Sequence, residues 1–350
     1  MLNAIYSKHK PPKLILFFLV LAGFISSSTW VFTHHIKHKP AANQTLNTVS
    51  KIQSKLPMLE KFTQVHNVPD GVFNYGGSTS WAELNKKANP AIQAALPKLA
   101  LHYVQPIGEP PSSSAGIKML LEGQLAFAES SRPISIEDNN QALQHGFQLE
   151  QIPVAIDILA FAVNPKLNVT GLTIDQLKSI YTGKFSNWKQ VGGPNLPIQP
   201  YSRPTGSGTR EFFAQDVLSG QPFGLNVSIV STTTQGLQKL AQHPGGIYYA
   251  TASEILPQCN IKPLPIGRNL DKFVTPYQEP SVPPPQCPAQ HNQLNIAAFK
   301  SDQYPLTRLL YVIVKQNGTK EQLAGKAYAD LILTKQGQEL VSQAGLVKMP

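Results

Sequence analysis

Acidic residues are scarce in this 350-residue chain: 20 Asp+Glu stand against 30 Lys+Arg, and charges of both signs make up only 14% of it. An average soluble domain carries about 25%, so a disordered chain held open by charge is excluded. Cysteine is nearly missing, with Cys259 and Cys287 alone. That excludes a dense disulfide scaffold, and two sulfurs without spaced His or Cys partners do not make a zinc site. Long apolar runs are missing beyond the N-terminus, and 30 Pro and 24 Gly fit neither a multi-span membrane protein nor a coiled coil. Several motifs are also lacking. No Gly-Lys-Ser/Thr follows Gly206-Ser-Gly-Thr209, and Glu211 stands where a dinucleotide fingerprint needs its third glycine. There is no G-x-S-x-G elbow and no H-E-x-x-H.

The chain is 41% hydrophobic, enough for a sizeable core, and its length favours about two domains. Its net charge of +10 is unevenly placed: residues 1–70 hold eight Lys against Glu60 and Asp70. A nucleic-acid binder concentrates basic side chains on its folded face, so no nucleic-acid partner is expected. Lys8, Lys10 and Lys13 precede the apolar run from Leu14, which reaches Phe32. This is an export signal, readable in two ways. Ser26 and Ser28 offer a cleavage site with a mature start near Thr29. Alternatively Leu14 to Phe32 is an uncleaved anchor, about 28 Å long as a helix, and the lack of an A-x-A motif favours this version. Both versions put the folded part in the periplasm or on the extracytoplasmic face of the membrane. An even cysteine count in an exported chain points to a Cys259–Cys287 disulfide, worth about 3 kcal/mol by loop entropy; two buried thiols is the competing reading.

Residues 1–33 are therefore read as signal peptide or anchor, 34–70 as a tether with at most one short helix, and 71–350 as the folded body. Strands are expected at 71–75, 101–104, 154–163, 198–201, 247–250 and 309–314. Helical patterns run over 80–101 (interrupted by Pro90 and Pro97), 115–122, 174–181, 209–218 and 320–344. Strands alternating with helices imply an α/β fold.

Three strand-to-helix junctions share small hydroxyl residues: Tyr75-Gly-Gly-Ser78-Thr79-Ser80, Pro111-Ser112-Ser113-Ser114-Ala115-Gly116, and Tyr201-Ser-Arg203-Pro-Thr205-Gly-Ser207-Gly208-Thr209. A helix start offers unpaired N–H groups and a partial positive charge, glycine allows close approach, and hydroxyls add neutral donors. Arg203 adds a planar fork suited to two oxygens. Ser130-Ser131-Arg132-Pro133 supplies a fourth hydroxyl segment and a second arginine. Each junction alone reads as ordinary capping; all four together read as a site for a small tetrahedral oxyanion. The isolated histidines read as surface or core residues, and Asp157, inside an apolar run, as a hydrogen-bonded structural carboxylate.

The body resembles the phosphate-binding proteins of high-affinity phosphate ABC importers, with a type II periplasmic-binding-protein fold. The motifs are Gly77-Ser-Thr-Ser80, Ser113-Ser-Ala-Gly-Ile-Lys118, Ser130-Ser-Arg-Pro133, Leu172-Thr-Ile-Asp-Gln-Leu177, Ile180-Tyr-Thr-Gly183, Arg203-Pro-Thr-Gly-Ser-Gly-Thr-Arg210, Gly246-Ile-Tyr-Tyr249 and Tyr304-Pro-Leu-Thr-Arg308. The C-terminal third is similar to cyanobacterial members. The resemblance implies two α/β lobes with mixed sheets joined by a two-strand hinge, lobe one at 71–155 plus 256–350 and lobe two at 156–255. It implies no enzyme activity and no cofactor. Inorganic phosphate would be bound by Ser78, Thr79, Ser80, Ser113, Ser131, Arg132, Arg203, Thr205, Ser207, Gly208 and Thr209 and delivered to an ABC permease. Ser131 and Thr205 stand where relatives carry acidic residues that accept the ligand's proton. That role falls to Glu129, Glu211 or a backbone carbonyl, with Arg132 as an added donor. The alternatives are a receptor for sulfate, molybdate or a phosphate ester, an anchored sensor, and a phosphomonoesterase with Ser207 or Thr209 as nucleophile.

Overall fold

The computed structural model describes residues 58–350; the expected signal or anchor and most of the tether lie outside the described residues. Among the described residues no helix is long and apolar enough to cross a membrane. Among the described residues the first element is a 3-10 turn, Phe62–Gln64, whose Phe62 is fully buried, so this part of the tether packs on the body. β1 (Gly71–Gly77) leads through a second 3-10 turn, Thr79–Trp81, into α1 (Ala82–Ala95). β2 (Leu99–Tyr103), α2 (Ser113–Leu121), β3 (Phe127–Ser130), α3 (Ile136–Gln144) and β4 (Gln148–Val163) follow. Next come β5 (Leu172–Thr173), α4 (Ile174–Tyr181), β6 (Gln199–Ser202), α5 (Gly208–Asp216), β7 (Ser228–Ile229), α6 (Thr233–Gln242), β8 (Gly246–Thr251) and α7 (Ala252–Ile255). The last part holds β9 (Lys262–Leu264), β10 (Ile266–Asn269), β11 (Lys272–Val274), α8 (Ile296–Lys300), β12 (Thr307–Gln316), α9 (Lys320–Leu333) and α10 (Lys335–Gln343).

The strands form a mixed sheet in the order β2-β1-β3-β12-β4-β8-β6-β7, with β9 also on β4, and a small sheet β11-β10-β5. β1 is parallel to β2 and β3, and β6 to β7 and β8, whereas β12 runs antiparallel to β3 and β4. This is the expected α/β class with mixed sheets. Pro90 does not interrupt α1, which is continuous from Ala82 to Ala95. It sits on the exposed face, where water can take the place of its missing N–H bond.

β4 crosses between separate apolar cores, and the chain leaves one of them at Leu306, just before β12. Val154 and Ala155 of β4 pack with Phe73, Trp81, Phe127 and Tyr328, while Ile158 to Val163 pack with Tyr181, Phe213 and Tyr249. On β12, Leu310, Val312 and Val314 join the first core, and Leu309, Tyr311 and Ile313 a smaller one with Ile117 and Leu120. The β4–β12 register shifts between Leu310 and Tyr311, opposite Ala155 and Pro153, leaving Val154 as the extra residue. A bulge is where a strand tolerates proline. In residues 256–306 the buried side chains Ile261, Leu264, Ile266, Val274, Leu294, Ala298, Tyr304 and Leu306 join the core of Ile158–Val163. The reason is pairing: β9 lies on β4 at Phe161–Val163, and Tyr304 donates its hydroxyl to the Leu159 carbonyl at 3.0 Å. Cys259 and Cys287 form a disulfide across this region, with Cα atoms 5.7 Å apart.

Candidate functional site

The hydroxyl-rich junctions meet. Gly76 and Gly77 end β1 because no side chain fits there: a Cβ would lie 2.4 Å from the Val104 carbonyl at Gly76 and 2.1 Å from the Glu129 carbonyl at Gly77. The chain then turns, Ser78 caps the 3-10 turn by accepting from Ser80 N at 3.4 Å, and Trp81 Nε1 fastens the turn to the Ser130 carbonyl at 3.2 Å. Ser112 caps α2 by accepting from Ala115 N at 3.0 Å, which puts Ser113 at the first helical position, fully buried. At α5 the capping residue Ser207 makes no side-chain capping bond, so the first amides of that helix are left without this partner.

Ser78, Ser80, Ser113, Ser131 and Thr209 come together as buried hydroxyls. Ser131 Oγ lies 2.8 Å from Ser78 Oγ and 3.3 Å from Ser113 Oγ, and Ser131 N donates to Ser113 Oγ at 3.1 Å. Ser80 Oγ faces Thr209 Oγ1 at 3.5 Å. A Cβ on Gly208 would lie 2.4 Å from both Ser113 Oγ and Ser131 Oγ, so the start of α5 presses onto the start of α2 with only backbone between them. Arg203, 3% exposed, donates Nη1 to Thr233 Oγ1 at 3.1 Å and to Thr79 Oγ1 at 3.4 Å. Its Nε is buried without a partner.

Two expected members stand apart. Thr205 is exposed on the loop before α5. Arg132 is buried, but its guanidinium is engaged elsewhere: Nη1 lies 2.6 Å from Asp138 Oδ2, Nε 2.5 Å from Glu211 Oε2, and Nη2 donates to Ser114 Oγ at 2.9 Å. Arg132 is thus a tie among three elements, not an added donor in the hydroxyl cluster. Burial alone would lower the Arg132 pKa, but Asp138 and Glu211 outweigh it and hold the value up.

The carboxylates expected to take a ligand's proton are likewise committed. Glu211 is paired with Arg132 and accepts from Ser114 Oγ at 3.2 Å; burial still pushes its carboxyl up. Glu129 turns to the other face of β3, accepting from Asn85 Nδ2 at 2.8 Å and Tyr328 OH at 3.2 Å. Burial there lifts its carboxyl to about 8.

Several residues with no assigned role lie against the cluster. Arg308 on β12 donates Nη2 to Ser80 Oγ at 2.8 Å and to Thr209 Oγ1 at 3.0 Å. It stands opposite Asp157 in the β4–β12 register and donates Nε to Asp157 Oδ2 at 2.8 Å. Asp157 is fully buried and also accepts from Ile158 N and Thr251 Oγ1, the structural role read from its apolar setting. A signal for this pair existed: opposite charges interrupt two apolar strand runs, and buried charges need partners. Glu254 at α7 accepts from Thr233 Oγ1 at 3.4 Å, which joins it to Arg203; burial lifts its carboxyl to about 7 against the pull of Arg203 and the Thr233 bond. Nothing in its local sequence marked it. Among the described residues, Cys259, Cys287 and His291 are one group spaced to hold a metal, and both sulfurs are in the disulfide.

A family model for the PBP superfamily domain matches residues 31–336. A phosphate-binding protein PstS of Staphylococcus epidermidis is 25% identical over 246 residues, 68% of each chain. A PstS of Pseudomonas aeruginosa is 24% identical over 321 residues, 84% of this chain and 88% of its own. Among solved structures, a Clostridium perfringens protein described as a phosphate ABC transporter substrate-binding protein, with bound phosphate, superposes with a TM-score of 0.64 at 25% identity. It covers 80% of this chain and 100% of its own.

Proposed function

The chain belongs to the PBP superfamily, and from that premise we propose that it is an extracytoplasmic solute-binding protein that captures inorganic phosphate and delivers it to an ABC permease. The observation carrying this reading is the convergence of Ser80, Ser113, Ser131, Thr209 and Arg203 at the starts of three helical segments. An entering oxyanion would take over the bonds these hydroxyls make to one another. Hydrogen bonds to a charged ligand contribute about 1.5–3 kcal/mol each, and helix starts add favourable charge. Several such donors offset the loss of the anion's hydration.

The core of Ile158–Val163 is read as one lobe and the other two cores together as the other, with β4 and the start of β12 after Leu306 running between them. Lobe one is then residues 71–155 and 309–350, and lobe two 158–306. The α5 start, Arg203 and Thr209 already lie on Thr79, Ser80 and Ser113, the arrangement of a closed cleft. The export signal in residues 1–33 supports an extracytoplasmic location, and Leu14 to Phe32 supports attachment to the membrane.

Titration calorimetry with inorganic phosphate tests the reading. Saturable one-to-one heat is expected, and Arg203→Ala weakens it at least about tenfold. Absence of heat with the wild type contradicts phosphate capture.

A second oxyanion is favoured by one observation: the carboxylates nearest the cluster all have partners, so none is free to single out a protonated ligand. Competition between phosphate and sulfate across pH separates the two readings.

A further inference from the structure

We propose that Arg308 is a second ligand-gripping arginine of this cleft, held in place by Asp157 at the point where the two strands pass between the cores. The proposal rests on the oxyanion-binding reading above and extends it to a residue on neither a helix start nor a glycine loop.

Count the donors of the Arg308 fork. A guanidinium carries five N–H groups in one rigid plane. Nε is used on Asp157 Oδ2, and Nη2 is used on the same carboxylate, at 2.7 Å, and on the Ser80 and Thr209 hydroxyls. Nη1, with two N–H groups, is buried and has no partner, although the residue is only 4% exposed. Buried donors of a charged group are rarely left unmade. These sit in the plane of the same fork whose Nη2 touches two hydroxyls of the cluster. Phe212, whose ring centre is 5.9 Å from the Arg308 guanidinium carbon, lies beside it on α5.

A purely structural ion pair does not account for this pattern. Asp157 needs one edge of the fork to be neutralised, and it has that edge plus Ile158 N and Thr251 Oγ1. Nη2 goes on to reach Ser80, in the 3-10 turn after β1, and Thr209, on α5. These hydroxyls come from the two sides of the cleft, which face each other at 3.5 Å, and Arg308 is bonded to both. Asp157 is a positioning residue: it fixes the plane of the fork and holds the strand register that aims it. The charge of Arg308 is balanced by Asp157, and that of Arg203 is faced by Glu254. The cleft thus gains donors with little excess charge, which favours short directed bonds to a tetrahedral ligand over diffuse attraction of any anion.

The test uses the full chain, stripped of anions, with inorganic phosphate as the probe. In wild-type protein labelled with nitrogen-15 at arginine, the Arg308 side-chain resonances, assigned by their loss in Arg308→Lys, are expected to shift on adding phosphate and not on adding chloride. In calorimetry, Arg308→Lys and Arg308→Gln are expected to bind phosphate at least about tenfold more weakly. Arg308→Lys keeps a charge for Asp157, so its anion-free melting temperature is expected to stay close to that of the wild type. Resonances that ignore phosphate while the wild type binds it overturn the proposal, as does unchanged affinity in both variants. A wild type that gives no heat with phosphate contradicts the phosphate reading itself, a distinct outcome. If Arg308→Lys fails to fold, loss of the same resonances in Arg308→Gln supplies the assignment, and the shift itself is read on the wild type.

Discussion

Arg132 and Glu211 form a buried-to-surface ion pair, Nε to Oε2 at 2.5 Å, between the segment that ends β3 and the first turn of α5. Asp138 holds the other side of the same guanidinium at 2.6 Å, and Ser114 N donates to the Gly206 carbonyl at 3.2 Å beside it. Burial would raise the Asp138 carboxyl, but the bonds from Arg132 and Ser135 outweigh it and hold the value below its ordinary range. Arg132 is therefore anchored on one side and reaches α5 with the other, which makes a clasp over the hydroxyl cluster. Glu211→Ala is expected to speed phosphate release about threefold to tenfold, read by stopped-flow, with little change in capture rate. An unchanged release rate would show that the clasp does not hold the closed form.

Gly208 is where the helix starts come closest. Its side-chain-free backbone lies against Ser113 and Ser131, and a methyl would overlap both hydroxyls. Gly208→Ala is expected to lower phosphate affinity by more than about tenfold and to cost about 1–3 kcal/mol of stability through overpacking. Alanine is otherwise the better helix former, so a variant with wild-type affinity would show that α5 does not close onto α2.

Glu254 shares Thr233 with Arg203, and burial lifts its carboxyl to about 7. Arg203 and Arg308 pull that value down, and Asp157 pushes it up. Below neutral pH the carboxyl is protonated and Arg203 keeps its full charge for an anion. As pH rises through 7 it ionises and competes. The ratio of Glu254→Gln to wild-type affinity cancels the ligand's own titration. It is expected to be close to one at pH 5.5 and to rise about threefold or more in favour of the variant by pH 8.5. A ratio flat with pH removes Glu254 from the electrostatics of Arg203.

Glu129 gives a stability prediction of definite sign. Burial lifts its folded value to about 8 from an ordinary 4.5, so the native state binds a proton that the unfolded chain releases between those values. Its favourable contribution is complete below pH 4.5 and is lost as pH rises through 8. Glu129→Gln should match the wild type at pH 4 and exceed it at pH 9 by about 2 kcal/mol or more in denaturant unfolding. Equal stability at pH 9 would mean that the Asn85 and Tyr328 bonds hold an ionised carboxylate at no net cost.

Much of the scaffold was readable because its signals are local. The apolar run at 154–163 is part of β4, Leu172-Thr-Ile-Asp-Gln-Leu177 opens α4 through a Thr173 cap, and the hydroxyl-and-glycine junctions sit at helix starts as expected. Four helices went unread: the short α7 and α8, of four and five residues, and α3 and α6 for different reasons. α3 carried a capping box, Ser135 with Asp138, ahead of a mostly polar stretch. α6 carries a glycine, Gly236, which the ring of Tyr248 requires, since a Cβ would come within 2.6 Å of it. Partner choice was the harder part. Arg132 and Arg308 each stand near small hydroxyls or apolar runs in sequence, and only the fold assigns Arg132 to Asp138 and Glu211 and Arg308 to Asp157, Ser80 and Thr209. Such long-range pairings depend on strand register and helix placement, which spacing along the chain does not encode.

The most direct test of the account is a crystal of the protein grown with arsenate, a heavier tetrahedral stand-in for phosphate, measured at the arsenic absorption edge. One dominant anomalous peak is expected within bonding distance of Ser80, Ser113, Arg203 and Thr209. A dominant peak elsewhere, with the hydroxyls of Ser78, Ser113 and Ser131 still bonded to one another, would contradict it.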